Sequence, residues 1–140
     1  MRMKLIEVKI KIIGVDLTDL YEGLVRFQIN TNEYEAFFWG EKFVIGEERI
    51  VELDYNSHDF KIGWKNVFTL NKKQEKKLEK GSEPCEYYGY GQIELINPVI
   101  ANFGDFKLNL GEWTNDTRVI GEYIYWPIEA LKIALKLGNE

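Results

Sequence analysis

Period-two alternation of apolar and polar residues dominates this chain. Ile6, Val8, Ile10 and Ile12 alternate with Glu7, Lys9 and Lys11. Successive side chains of a strand point to opposite faces, so this run predicts a strand with one dry and one wet face. Gly14 is expected to end it, with a loop from Asp16 to Gly23. Val25, Phe27 and Ile29 alternate with Arg26 and Gln28, and Tyr34 to Trp39 resumes a strand after Asn30-Thr31-Asn32-Glu33. That stretch is rich in turn formers, and the two runs read as a β-hairpin. Gly40 and Gly46 bracket a short apolar piece, Phe43-Val44-Ile45. Val51, Leu53 and Tyr55 alternate with Glu52 and Asp54 in a fourth strand. Asn56-Ser57-His58-Asp59 reads as a turn, and Phe60, Ile62 and Trp64 as a fifth strand.

The segment 71–81 breaks the pattern. Asn71 is placed to cap a helix and Gly81 to end one, with good helix formers between them. Leu78 is its one apolar residue, so such a helix has almost no face to bury. A solvated helix or mobile excursion between two strand-rich halves is expected. Alternation then returns. Tyr87 to Ile96 forms a strand, Asn97-Pro98 interrupts it, and Val99 to Phe103 continues it after a kink or bulge. Phe106, Leu108 and Leu110 alternate with Lys107 and Asn109. Gly111 to Arg118 is a polar loop, and Val119 to Trp126 a strand candidate. Pro127 is placed to open one helical turn. Leu131, Ile133, Leu135 and Leu137 alternate with Lys132, Ala134 and Lys136, which predicts a closing strand although the composition favours helix.

Seven to nine short strands without recurring amphipathic helices predict a mainly β fold. The expected form is a small antiparallel barrel or sandwich, partly open and OB-like or SH3-like, with at most one or two short helices. A chain of 140 residues suits one domain over residues 1–140.

The formal charge of −5 is unevenly spread. Lys72, Lys73, Lys76, Lys77 and Lys80, against Glu75 and Glu79, make the central segment +3 and leave −8 on the rest. An acidic body repels phosphate backbones, so general nucleic-acid binding is disfavoured. Cys85 is the sole cysteine, which excludes an internal disulfide. The N-terminal residues alternate with charges and carry no signal-peptide core, and no apolar run approaches the ~20 residues of a membrane span. A cytoplasmic location and no membrane partner are expected.

No motif in the chain specifies a reaction, a metal or a nucleotide. His58, the sole histidine, titrates near neutral pH and has Asp54 and Asp59 nearby to orient it, yet its setting is that of a polar turn. Ser57 and His58 are adjacent, so on a strand they point apart. One histidine and one cysteine cannot build a Cys/His zinc site, and Glu47, Glu48, Asp54 and Asp59 lack calcium-loop spacing. No cofactor or metal is expected. Cys85 lies between Glu83 and Glu86, which favour the inert thiol. Tyr88-Gly89-Tyr90-Gly91 lacks the lysine and hydroxyl of a phosphate loop, and its glycines read as points of close backbone approach. Asn115-Asp116-Thr117 matches a glycosylation sequon, without meaning in a cytoplasmic chain. Phe37, Phe38 and Trp39 put aromatic rings on both faces of one strand. They imply either cover on both sides or an exposed patch.

Three readings follow. The leading one is a non-enzymatic binding module with a protein partner, for example an immunity-type protein whose acidic surface blocks a basic toxin. Phe37, Trp39, Tyr87, Tyr88 and Tyr90 are its candidate contacts. The second is a small enzyme or ligand carrier with a cleft at a barrel mouth. The third is a single-stranded nucleic-acid binder using Tyr87, Tyr88 and Tyr90 with the lysines from 72 to 80.

Overall fold

A computed structural model describes residues 6–56 and 63–134. His58, Ser57, Asp59, Phe60 and the tail beyond Ala134 lie outside the described residues, and with them the expected turn at His58. The described chain is mainly β, with ten strands, one α-helix and one 3-10 turn.

Five strands close a barrel: β1 (Glu7–Asp19), β2 (Glu22–Ile29), β3 (Asn32–Trp39), β4 (Glu48–Asn56) and β10 (Ala130–Ile133). The circuit runs β1-β2-β3-β10-β4 and returns to β1, so the barrel is closed where a partly open one was expected. Its pairings are antiparallel except for the brief parallel meeting of β10 with β3 at Lys132 and Phe37. Of the dry face expected for β1, Ile10 and Ile12 are buried and Ile6 and Val8 half-buried, while Val25, Phe27 and Ile29 on β2 are buried. The expected stop at Gly14 is corrected. β1 runs on to Asp19, with register shifts at Ile12/Gly14 and Leu17/Asp19 that bend it. The first half of β1 pairs with β4 and the second half with β2. One long bent strand thereby serves two neighbours and turns a barrel corner.

The second layer is inserted between β4 and β10. It contains α1 (Gly63–Thr69), β5 (Lys77–Lys80), β6 (Tyr87–Leu95), β7 (Val99–Asn102), β8 (Lys107–Gly111) and β9 (Tyr123–Ile128). β6 is central. β9 lies along one of its edges, while β5 and then β7 share the other. Its core joins that of the barrel: Tyr34 of β3 meets Tyr87 and Phe106 with ring centroids 6.0 and 5.4 Å apart.

Several expectations within this insert are corrected. Trp64 lies in the first turn of helix α1 and not in a strand; its ring meets Trp113 at a tilt, 4.7 Å away, and Trp113 stacks in turn on Trp126 at 5.8 Å. These ring contacts, with buried Val67, dock a helix too short to stand alone. The 71–81 segment is neither helix nor mobile excursion, because Lys77 to Lys80 pairs residue for residue with Tyr90 to Tyr87. Asn71 caps nothing; it is buried, and its amide donates to the carbonyls of Glu75 and Ile124. Asn97-Pro98 does not kink one strand but reverses the chain, so that β7 folds back on β6. Pro127 sits inside β9, opposite Tyr88, and begins no helix. Among the described residues β9 has a strand neighbour on one side only, and an edge strand tolerates a missing N–H.

Candidate binding surfaces

Alternation along β6 and β9 sorts their side chains. Tyr87, Gly89, Gly91 and Ile93 point into the core, as do Ile124, Trp126 and Ile128. Tyr88, Tyr90, Tyr123, Tyr125 and Pro127 point outward. Cross-strand pairing sets Tyr90 beside Tyr125 and Tyr88 beside Pro127, with the rings of Tyr90 and Tyr125 5.3 Å apart. The result is a tyrosine-rich outer face on a sheet. Tyr123 and Tyr125 were not picked out from the sequence, although their alternation with Ile124 and Trp126 carried the signal.

The rim of this face is mostly acidic. Lys77 lies over the Tyr90 ring at 5.6 Å, but Glu75 and Glu79 hold its ammonium at 3.1 and 3.0 Å. Burial, with the charges of Glu79 and Glu75, raises the Tyr90 hydroxyl above its usual range, and Lys77 opposes this. Burial also raises Tyr125, helped by Tyr90, Tyr88, Glu79 and Glu86.

Tyr87 belongs elsewhere. Its ring is buried at 3% exposure, against 37% for Tyr88. Its hydroxyl accepts from the Glu35 amide at 2.9 Å, which covers an N–H of the barrel strand that β10 does not reach. Burial, supported by the Glu35 charge, pushes this hydroxyl up to about 12. Tyr87 is thus a joint between the two layers, and Tyr88 and Tyr90 alone of the three share the outer face.

Phe37 and Trp39 stand on the outside of the barrel, each 37% exposed, while Phe38 between them is buried. Phe37 lies between Leu24 of β2 and Lys132 of β10, and the Lys132 ammonium sits 5.5 Å from the Trp39 ring centre. This second aromatic patch is smaller and is partly shielded by that lysine.

Cys85 is fully buried and adopts a left-handed φ of 63°. Its amide donates to the Glu35 carboxylate, and its carbonyl accepts from Leu131 of β10. Burial, with the charge of Glu35, pushes its thiol up to about 12, and Lys80 opposes this only in part. A protonated, covered sulfur is a poor nucleophile. The native thiol should therefore resist an aromatic disulfide reagent at pH 8, and react at once in denaturant. Rapid reaction in the native state would show Cys85 accessible. The unfolded thiol ionises near about 8.5. Stability linked to this group is thus complete below that pH and falls as pH rises toward 12.

The carboxylates weighed as metal ligands diverge. Glu47 turns to Arg49 and to the Val44 amide, Glu48 to Lys9, and Asp54 to the Tyr55 amide. Among the described residues, no helix is long and apolar enough to cross a membrane. Comparisons with protein-family models, with curated proteins and with solved structures each found no match.

Proposed function

We propose that this chain is a non-enzymatic binding module for a protein partner, and that the partner docks on the outer face of β6 and β9. The observation that carries this reading is the set Tyr88, Tyr90, Tyr123 and Tyr125 facing outward from one sheet. Tyrosine offers a large, stiff contact area with a polar tip, which is why it concentrates at interface hot spots. Glu75, Glu79 and Glu86 border the face and the chain is net negative, so a partner with a basic surface fits best. An immunity-type protein that blocks a basic toxin is one such module. The same reading takes the cytoplasm as its location.

One contact favours the nucleic-acid alternative, since Lys77 does lie beside Tyr90. Its two carboxylate partners cancel the charge that a phosphate would need.

The test begins with affinity capture from the source cell, followed by purified binding of the captured protein. The double variant Y88A/Y125A should weaken that binding about a hundredfold or more, since truncated tyrosine hot spots each cost about 2 kcal/mol. The double variant F37A/W39A should leave it within a few-fold. Equal binding by the Tyr88/Tyr125 variant would move the site elsewhere. Saturable, salt-sensitive binding of a short single-stranded oligonucleotide, lost in that variant, would replace the protein-partner reading with the nucleic-acid one.

A further inference from the structure

A cleft of about 460 Å³ separates the outside of the β2–β3 hairpin from β5. Pockets of about 300–1,000 Å³ are the size that holds small ligands. Its walls carry opposite charge. One wall is β3, which presents Glu33 and Glu35 outward from the barrel, with Arg26 across from Glu35 on β2. The other wall is β5. Lys76, Lys77, Leu78 and Lys80 line the cleft, with Leu78 and Lys80 turned inward by alternation and the Lys77 ammonium turned back to Glu75, Glu79 and Tyr90. Tyr34, Tyr87 and Phe103 close the floor.

At one end these walls bridge directly, with Lys80 Nζ 3.4 Å from Glu35 Oε1. The other end is marked by the loop Gly104-Asp105. Asp105 accepts from Asn30, Asn32 and Tyr34, which ties it to the β2–β3 turn that Glu33 adjoins. A Cβ on Gly104 would lie 2.7 Å from the Lys76 carbonyl oxygen, which places the loop beside Lys76 as well. Glu33 and Lys76 therefore stand at the same end on facing walls, and no ion pair joins them among the described residues. Lys76 feels the Glu94 carboxylate, but that group is taken by Lys107 and Asn102. Asp105 is itself saturated. Burial would raise it, yet hydrogen bonds from Tyr34, Asn32 and Asn30 prevail and hold it below the usual carboxylate range.

We infer that this cleft is a second binding site, for a small zwitterion with an apolar side chain. Its ammonium meets Glu33 and its carboxylate meets Lys76, completing at the open end the bridge that Lys80 and Glu35 make at the closed end. Its side chain lies on Leu78 and the aromatic floor. A free amino acid and a short peptide with free termini share this chemistry.

The experiment is an amide-resolved NMR titration of the whole chain with L-phenylalanine, with Gly-Phe-Gly, and with the same tripeptide acetylated and amidated. A zwitterion should shift amides of residues 33–35, 76–78 and 103–105 saturably, and capping should weaken it about tenfold or more, since charge-assisted hydrogen bonds carry the contact. Whichever of L-phenylalanine and Gly-Phe-Gly binds names the source. E33Q and K76M should each weaken it similarly, with unchanged melting temperatures. Y88A/Y125A should leave it unaffected, which separates this site from the tyrosine face. No saturable shift with either zwitterion, or equal binding by the capped peptide, would overturn the inference.

Discussion

Replacing Phe103 with alanine should lower stability by about 3–5 kcal/mol in urea denaturation, the range for deleting a buried phenylalanine side chain. Phe103 is 1% exposed, and an edge of its ring packs against β6 where two glycines leave room. A Cβ at Gly89 would come within 2.8 Å of the ring, and one at Gly91 within 2.9 Å. The Tyr88-Gly89-Tyr90-Gly91 alternation thus leaves room for this ring, and also for the Trp126 carbonyl at Gly89 and the Asn102 carbonyl at Gly91. A double-mutant cycle tests that statement. Gly91→Ala should cost about 1–3 kcal/mol beneath the native ring, as overpacking does. In the Phe103→Ala background the same change should cost less, because the ring is gone and the Asn102 carbonyl at 3.0 Å is the contact left. Strict additivity of the two losses would show that Gly91 is required for some other reason.

Asn71→Ala should cost about 2–4 kcal/mol, because truncation strands several buried polar groups at once. The Asn71 amide donates to Glu75 O at 2.9 Å and Ile124 O at 3.0 Å, and its oxygen accepts from the Glu75 amide at 2.8 Å. One side chain thus fastens the turn before β5 to the β6–β9 pair. Asn71→Asp keeps the acceptor and loses both donors, so it should be nearly as damaging. A loss under about 0.5 kcal/mol for the alanine variant, the size expected at an unremarkable surface position, would refute the role.

Strands with an unbroken dry face were legible from alternation alone. Ile10 and Ile12 of β1, Val25 and Phe27 of β2, and Val51 and Leu53 of β4 are all buried. β5 was not legible, for a physical reason. Of its four residues only Leu78 is apolar, and Lys80, on the inward side, sends its ammonium back to the carbonyls of Gly81 and Glu83. A long apolar stem under a charged tip hides an inward position from any hydropathy pattern. Asn71 misled because a buried amide with distant partners has the same letter as a helix cap. The tyrosine face was half legible. Tyr88 and Tyr90 stood out as a pair, but Tyr125 meets Tyr90 only because β9 pairs with β6. Such a juxtaposition depends on long-range pairing that local periodicity does not contain.

The position of the second sheet within the chain bears on the order of events during folding. Ala130 pairs with Asn56, and the elements described between them, from Gly63 to Ile128, form the other layer. As the chain leaves the ribosome, β1 to β4 emerge early but cannot close, because the strand that lies between β3 and β4 follows the whole second sheet in the sequence. Until then the β3 and β4 edges stay open, and an open edge invites pairing with another chain. Contacts so distant in sequence also close slowly. The nascent barrel is thus exposed for the whole time needed to synthesise the insert, and a chain stopped before β10 would keep those edges for good.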